Sequence, residues 1–351
     1  MNTDFTLPCR QQLGLASTVQ SLSRLDAAPA LAGRLRDHLL KAAGDGLDGL
    51  VATRLISVFS DRLTCKIIEL VSLQHRLPPV AWCWLALGSE GRHEQTFVTD
   101  QDNGLIFNAT SGQEAEALRQ IFQPFAEDVN QRLADCGFAL CSGQIMAGNP
   151  AWCLSLEEWR EKFIAWVRRP EPEALLNASI FFDLRPLYGE LALGERLRSL
   201  LLSMTEATPY FQHLMAANAL QVDVPLNFRG EVVVDEGAFV DLKKFGSRIF
   251  VDAARIFALS SATKAVNTAE RLRDAGSSAG LPVAETAALE AAFSQILRLR
   301  LGQQIEAAGR GEAGGYGLKP AALNDMDRAI LREALKLAKR LQQRLKLNYA
   351  L

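Results

Sequence analysis

The sequence predicts an α+β protein with a small mixed sheet near its middle and helices on either side. Three observations support this prediction: helical spacing of apolar residues before position 75, short apolar runs bounded by turn residues between positions 80 and 147, and helical spacing again over most of the remainder. With 351 residues, the chain is long enough for about two domains and a sizeable core.

The first 75 residues are predicted to be helical after a loose leader of 12 residues. From Val51 to Leu73, apolar side chains recur every three or four residues, which is typical of a helix with one buried face. Pro78 and Pro79 follow this run. Because proline lacks an amide donor and restricts the residue before it, we expect the helix to end there.

Three strands and one helix are predicted next. The apolar runs VAWCWLALGS and DNGLIF are typical of buried strands, and FALCSGQIMA is a third candidate. Between the second and third runs, Ser111 to Cys136 has helical spacing, and Glu114 follows the N-cap serine in a capping-box pattern. This order of strands and helix predicts a mixed sheet.

The second half of the chain is predicted to be mainly helical. A short hairpin is expected within EVVVDEGAFVDL, around Glu236-Gly237. The predicted helical regions are Leu156 to Val167, Glu173 to Tyr188, Leu191 to Met204, and Ile249 to Leu351 with breaks at 276–282 and at GRGEAGGYGLKP. We therefore expect three parts: an N-terminal helical segment (1–75), a sheet-containing domain (76–200) and a helical domain (201–351).

Composition and charge exclude several classes of protein. Hydrophobic residues make up 48% and charged residues 22%, and the formal net charge is −2, so neither a disordered chain nor a nucleic-acid or membrane-surface binder is expected. No run approaches the roughly 18 apolar residues of a membrane span, and the N-terminus does not resemble a signal peptide.

The cysteines and histidines indicate no metal site of their own. The four histidines are scattered, and none of the six cysteines forms a Cys-x-x-Cys pair. Free thiols in a reducing compartment are the simplest interpretation, which predicts a cytoplasmic protein. The cysteines are Cys9, Cys65, Cys83, Cys136, Cys141 and Cys153.

One segment, LALGSEGRHEQTFVTDQDNGLIF (85–107), carries recognisable chemistry. Gly88 allows a phosphate to approach the backbone closely, and the Ser89 hydroxyl can bind a phosphate oxygen. Arg92 adds a planar cation suited to phosphate. Asp100 and Asp102 lie one residue apart at the start of a predicted strand, so their side chains share a face.

Two carboxylates on one face repel each other unless a cation lies between them. Oxygen ligands favour Mg²⁺, with Mn²⁺ as an alternative, and Mg²⁺ takes further ligands from substrate phosphates. A phosphate-binding turn followed by such a pair is the minimum equipment for phosphoryl or nucleotidyl transfer. The chain lacks a Walker-type motif and a Rossmann fingerprint, which argues against P-loop and dinucleotide-binding enzymes.

These motifs resemble a known signature. Gly88-Ser89, a polar turn and Asp100-x-Asp102 resemble the DNA polymerase β-type nucleotidyltransferase superfamily. The fuller string, Gly-Ser-Glu-Gly-Arg-x-Glu-Gln followed by Thr-Asp-Gln-Asp-Asn, resembles the DUF294 nucleotidyltransferases, relatives of the bacterial protein-PII uridylyltransferases. Further strings typical of this group are IMAGNP (145–150), FFDLRPLYGE (181–190), VDLKKFG (240–246), VDAARIFAL (251–259) and TAERL (268–272).

The resemblance implies a nucleotidyltransferase catalytic domain at 76–200 followed by a helical substrate-binding domain at 201–351. It implies Mg²⁺-dependent transfer of a nucleoside monophosphate from a nucleoside triphosphate to an acceptor hydroxyl, with release of pyrophosphate. By kinship, the acceptor is expected to be a side chain of a signalling protein, or a small molecule. Relatives often carry regulatory domains upstream, so this chain is expected to act alone or with a separate regulatory partner.

The resemblance also implies roles for individual residues. Asp100 and Asp102 are the expected metal ligands and catalytic carboxylates. Because FALCSGQIMA contains no third acid, Asp183 is the candidate general base. The candidate nucleotide-binding residues are Gly88, Ser89, Arg92 and Lys243. Glu94, Gln95 and Asn103 are the candidates for residues that hold the binding residues in position.

Each role has a structural alternative. The Gly-Ser pair also fits a plain tight turn, the aspartate pair a solvated loop, and Arg92 a surface salt bridge. Asp183 also fits an ion pair with Arg185. The absent third acid leaves a second function open, a non-catalytic nucleotide sensor that signals through its helical domain. A helical interaction protein with a decayed site is the third alternative.

Overall fold

The computed structural model describes residues 17–235, 237–312 and 317–351. By its contacts the chain divides into two compact units. The first, which we call the sheet unit, consists of the chain up to Ala42, Thr53–Ile164 and Ile180–Leu200. The second, the helical unit, consists of Ala43–Ala52, Ala165–Ser179 and Leu201–Leu351. The predicted α+β class is confirmed.

The sheet unit contains a mixed four-stranded sheet. Its strands are β1 (Trp82–Ala86), β2 (Asn103–Phe107), β3 (Cys153–Ser155) and β4 (Arg185–Gly189), in the order β3-β2-β1-β4. The central strand β1 is antiparallel to both β2 and β4, and β3 is parallel to β2. The two central strands are the two apolar runs predicted first from the sequence.

Helices also lie along the first part of the described chain, and the predicted helix cap is confirmed. At the start of α4, the Ser111 hydroxyl accepts a hydrogen bond from the Glu114 amide at 3.2 Å, while the Glu114 carboxylate accepts one from the Thr110 amide at 2.6 Å. The helices are α1 (Ala28–Gly44), α2 (Gly49–Ser72), α3 (Gly88–Gly91) and α4 (Gly112–Asp135).

The predicted third strand, FALCSGQIMA, is wrong. This segment makes one isolated parallel bridge, between Ala139 and Asp100, and otherwise forms no strand. Residues 142–144 are exposed, and Gln144 has a φ of +56°, which a strand does not accommodate. The third strand, β3, begins 6 residues beyond this run, at Cys153.

The predicted helix from Glu173 to Tyr188 is wrong in its second half. Helix α6 (Pro172–Phe181) ends early, and β4 follows at Arg185. Pro186 explains the change, because it cannot donate a helical hydrogen bond and it disfavours helical geometry at the residue before it. Proline is tolerated in β4 because this strand lies at the edge of the sheet.

Most of the remaining helices follow the predicted pattern, including the predicted break between 276 and 282. The helix at Pro209–Ala219 and the break at 261–267 were not predicted. Helix α9 is buried along its whole length and packs with α10 in the core of the helical unit. These helices are α5 (Leu156–Arg168), α7 (Leu191–Glu206), α8 (Pro209–Ala219), α9 (Arg248–Ser260), α10 (Thr268–Gly276), α11 (Val283–Gly309) and α12 (Asp325–Tyr349).

The predicted hairpin within EVVVDEGAFVDL does not form between neighbouring strands of the described chain. Instead β5 (Val240–Asp241) pairs with the distant β6 (Gly317–Leu318). The Asp235 carboxylate accepts the amides of Gly237 and Phe239, which closes a local turn without a strand ladder. Glu236, the leader (1–12) and residues 313–316 of the glycine-rich break lie outside the described residues.

No helix within the described ranges combines the length and apolar character needed to cross a bilayer. Five cysteines carry free thiols, as the sequence predicts, and Cys9 lies outside the described residues.

Candidate active site

The segment from Asp100 to Asn103 alternates carboxylates with amides as it enters β2. Asp100 and Asp102 are half-buried, whereas Gln101 and Asn103 are buried. Alternation of side chains along extended backbone puts the two acids on one side and the two amides on the other. The two acids are therefore partly open to solvent, whereas the two amides face the protein interior.

The Asp102 carboxylate lies between the glycine turn and a thiol. The backbone amide of Leu87 donates to the carbonyl of Asp102 at 2.9 Å, which joins the end of β1 to the start of β2. A Cβ atom at Gly88 would lie 2.5 Å from Oδ2 of Asp102, so any other residue would have to displace this carboxylate. Gly88 also has a φ of +51°, a conformation that strains other residues.

The thiol is Cys141, in the looped segment that replaces the predicted third strand. Its Sγ lies 3.5 Å from Oδ1 of Asp102. Burial raises the pKa of this thiol, and the charges of Asp102 and Asp100 act in the same direction. The thiol therefore keeps its proton and directs it at Asp102.

Asp100, Asp102 and Cys141 together suit a divalent cation. One ligand atom from each of the three lies within 4.8 Å of the others. Two carboxylates this close repel each other, and a cation between them reverses the sign of the interaction. The oxygen atoms fit Mg²⁺ or Mn²⁺, and the sulfur fits softer cations.

The turn after β1 is the single helical turn α3, which contains Gly88 and Ser89. Ser89 is half-buried. The first amides of a helical turn have no partner within that turn and so are available to an anion. At its other end α3 contacts the chain before β4 closely, because a Cβ at Gly91 would lie 2.1 Å from the carbonyl oxygen of Asp183.

Arg92 forms a buried ion-pair cluster directly after α3. Its Nε lies 2.8 Å from Oε2 of Glu94, and its Nη1 lies 2.6 Å from Oδ2 of Asp183. The side chain of Asp183 is 0% exposed, and Arg92 is its ion-pair partner. The ion pair with Arg185 considered from the sequence is not formed, because Arg185 binds Asp61 instead.

Arg185 holds α3 from the opposite side. Its Nη2 lies 2.8 Å from Oδ1 of Asp61 on α2, and its guanidinium donates to the carbonyls of Glu90 at 3.1 Å and Gly91 at 3.3 Å. Sequence reasoning missed Asp61, since an acid in a helical pattern carries no signal of a partner 124 residues away. Arg92 and Arg185 thus fix the turn between three separate chain segments.

Burial disfavours the charged forms of Glu90, within this turn, and of His93, which follows it. Burial raises the pKa of Glu90 to about 8, the charges of Asp61 and Asp102 act with it, and Arg185 opposes them. Burial lowers the pKa of His93 to about 3, and the charge of Arg185 adds to the effect. Burial therefore reduces the charge that these two side chains bring to the turn.

A buried amide network fixes the loop that carries Cys141. The Asn103 Oδ1 accepts hydrogen bonds from the Ala147 amide at 2.8 Å and from the Asn130 side chain at 3.0 Å. The Gln101 side chain donates to the carbonyls of Asn130 at 3.0 Å and Phe138 at 2.9 Å. Both ends of the loop are therefore tied to the strand that carries the two aspartates.

Two further predicted residues occupy different places. The backbone amide of Gln95 donates to the Ser57 hydroxyl on α2 at 3.1 Å, which anchors the chain after α3. Lys243 belongs to the helical unit, where its amide donates to the Asp241 carboxylate at 2.8 Å. Its role toward nucleotide stays a prediction. All the other predicted site residues belong to the sheet unit.

Sequence reasoning also missed Cys141. The residue stands in the segment that was searched for a third acid, and a search that included thiols would have found it. Asn130 gave no comparable signal, because an asparagine within a helix is ordinarily exposed.

Two family models match the chain in sequence order. Residues 33–173 match the model described as "Putative nucleotidyltransferase DUF294". Residues 209–349 match the model described as "Putative nucleotidyltransferase substrate binding domain". Together the two matches cover most of the chain, and the first contains the glycine turn, both aspartates and Cys141. No curated protein matches the chain.

Proposed function

Because the chain belongs to the nucleotidyltransferase family DUF294, we propose that it transfers a nucleoside monophosphate from a nucleoside triphosphate to an acceptor hydroxyl and releases pyrophosphate. The observation that supports this most is the position of the Asp102 carboxylate, next to Asp100 and within van der Waals range of the side-chain-free Gly88 turn. A triphosphate on this turn would lie beside both acids.

In this proposal Asp100 and Asp102 hold Mg²⁺ or Mn²⁺. The cation neutralises charge on the triphosphate and aligns the attacking oxygen. Gly88 leaves room for the Asp102 carboxylate beside the turn, and Ser89 donates its hydroxyl to a phosphate oxygen. Arg92, held between Glu94 and Asp183, stabilises the turn.

The contacts of Asp183 support a positioning role for this residue. A carboxylate that is 0% exposed and paired with Arg92 at 2.6 Å is poorly placed to take a proton from an acceptor. We therefore propose that Asp183 acts by orienting Arg92. Transfer does not require a strong base, because phosphoryl chemistry depends mainly on positioning and electrostatics.

The acceptor side of the proposal concerns the helical unit. Its match to a substrate-binding model supports the idea that residues 209–349 recognise the acceptor. We propose a protein acceptor in signal transduction, a contact of Lys243 with the triphosphate, and a cytoplasmic location consistent with the five free thiols. These finer assignments rest on kinship and residue chemistry.

One observation favours the second candidate, a nucleotide sensor without turnover. The segment 138–147, which adjoins Asp100 and Asp102, contains no carboxylate. A site with two acids binds cation and nucleotide but has one negative ligand fewer for the transition state. Nucleotide binding without pyrophosphate release would support the sensor, and release would support the transferase.

The proposal is tested by incubating the protein with α-labelled nucleoside triphosphates, Mg²⁺ and lysate. Wild type is expected to label a protein band or a small molecule and to release pyrophosphate. Asp100→Asn should lose both signals, whereas Asp135→Asn, an exposed aspartate of the same unit, should keep them. Equal labelling by wild type and Asp100→Asn would contradict the assignment.

A further inference from the structure

The thiol of Cys141 occupies a built position beside the two aspartates. Gln101 donates its backbone amide to the Ala139 carbonyl at 2.9 Å, and Asn103 donates its own to the Ile145 carbonyl at 3.1 Å. The strand therefore holds the loop on both sides of Cys141. The buried amides of Asn103 and Asn130 reinforce this, so the thiol is fixed near Asp102 before any ligand binds.

The distance between Cys141 and Asp102 matches a mixed carboxylate–thiolate centre. A tetrahedral zinc ion with bonds of about 2.0 Å to oxygen and about 2.3 Å to sulfur separates those two atoms by roughly 3.5 Å. The observed distance from Cys141 Sγ to Asp102 Oδ1 is 3.5 Å, and Asp100 offers its oxygen within the same 4.8 Å cluster. The other described thiols belong to no such cluster of three ligands.

We propose that Cys141 is the third protein ligand of this centre and makes it select a thiophilic divalent cation such as Zn²⁺ or Co²⁺ over Mg²⁺. Sulfur is a poor ligand for Mg²⁺ and a strong one for these cations, which also stand higher in the general affinity order. On binding, the S–H bond breaks, the sulfur–metal bond forms, and the proton leaves to solvent.

This inference rests on the proposed function only for the place of the cation in catalysis. Cation binding itself needs no nucleotide and no acceptor. The proposal predicts that Zn²⁺ displaces Mg²⁺ at low concentration, so the cation supply would determine which form of the protein is present. The exposed residues 142–144 leave the cluster close to solvent, which gives a cation access.

Co²⁺ is the probe, because cobalt bound to a thiolate gives a near-ultraviolet charge-transfer band that cobalt bound to oxygen lacks. Purified, metal-free protein is titrated with Co²⁺, followed by competition with Zn²⁺ and with Mg²⁺. Wild type and Cys136→Ser, the control thiol of the same unit, should both show the band. Cys141→Ser should lose it and bind Co²⁺ about 10- to 100-fold more weakly.

A second variant controls for the possibility that Cys141→Ser loses cation binding because it misfolds. Cys141→Asp supplies an oxygen ligand at the same position, so it should lack the band, regain cation binding and shift the preference toward Mg²⁺ and Mn²⁺. A band that persists in Cys141→Ser, or equal Co²⁺ affinity in wild type and Cys141→Ser, would overturn the proposal.

The outcomes also separate this proposal from the proposed function. A thiolate band in a protein that releases no pyrophosphate with any cation would support the ligand and reject the transferase. Pyrophosphate release with Mg²⁺ that is unaffected by Zn²⁺ and unchanged in Cys141→Ser would support the transferase and reject the ligand.

Discussion

The ion pairs around the glycine turn of the sheet unit differ in sequence separation from the buried pair of helix α9 in the helical unit. Around the glycine turn, ion pairs join residues that are distant in sequence, such as Arg92 with Asp183 and Arg185 with Asp61. In helix α9, the buried Arg255 pairs with Asp252 three positions earlier in the same helix, at 2.7 Å. The distant pairs fix the relative positions of chain segments, whereas the local pair stabilises a helix that other contacts already hold.

This difference teaches that the ionic groups of the sheet unit organise a site. Buried ion pairs contribute little net stability compared with apolar packing, although breaking one is costly. Two distant ion pairs contact one four-residue turn. They therefore indicate that the conformation of this turn must be held fixed. The following variants test that interpretation in order of expected effect.

The largest effect is expected from Asp183→Asn, which leaves Arg92 without its fully buried partner. Loss of one member of a buried pair should lower the free energy of unfolding by about 3–5 kcal/mol and, because the turn loosens, lower turnover as well. Asp252→Asn should lower the free energy of unfolding without changing turnover. Denaturant unfolding and steady-state kinetics measure both. Equal kinetic effects of the two variants would remove the distinction between the units.

The next effect concerns pH and Glu90. Because burial raises the pKa of Glu90 to about 8 from 4.5, the folded state holds a proton that the unfolded state releases. The contribution is present below pH 4.5 and is lost as pH rises toward 8. Glu90→Gln should therefore be more stable than wild type by about 2–4 kcal/mol at pH 9 and nearly equal to it at pH 4.

Urea unfolding across that pH range measures this difference. Glu161→Gln, which alters an exposed glutamate of the same unit, should show no pH-dependent difference from wild type. A constant difference between Glu90→Gln and wild type at all pH values would show that the Glu90 carboxyl is not held protonated.

The smallest effects on stability are expected from alanine substitutions at two glycines, one in each unit. Gly88→Ala combines a positive φ with a Cβ 2.5 Å from Asp102, so it should cost about 1–2 kcal/mol and reduce turnover at least tenfold. Gly302→Ala in α11 meets nothing within 4 Å and should stabilise the protein by about 0.5–1 kcal/mol. Thermal unfolding and pyrophosphate release measure the two effects, and full activity of Gly88→Ala would contradict the crowding at the turn.

Local signals made part of this molecule predictable. The strands β1 and β2 are short apolar runs between turn residues, and α4 begins at a serine cap that the sequence displays. The glycine turn and the aspartate pair could be found because their spacing within one segment reflects their chemistry.

The features that could not be predicted from the sequence depend on long-range contacts. The conformation of 138–147 depends on the side chains of Gln101, Asn103 and Asn130, which hold its ends, so its apolar residues misleadingly indicate a strand. The partner of Asp61 is 124 residues away, and the partner of Asp183 is 91 residues away. No local pattern encodes those pairings, nor the approach of Cys141 to Asp102.

The central claim is that Asp100 and Asp102 share a cation with a triphosphate bound at the Gly88-Ser89 turn. Crystals grown with Mn²⁺ and a non-hydrolysable nucleoside triphosphate test it directly through the anomalous signal of manganese. The account predicts a manganese peak about 2.1 Å from oxygens of both aspartates, with the triphosphate against the turn. A nucleotide bound elsewhere, or a manganese site that involves neither aspartate, would contradict it.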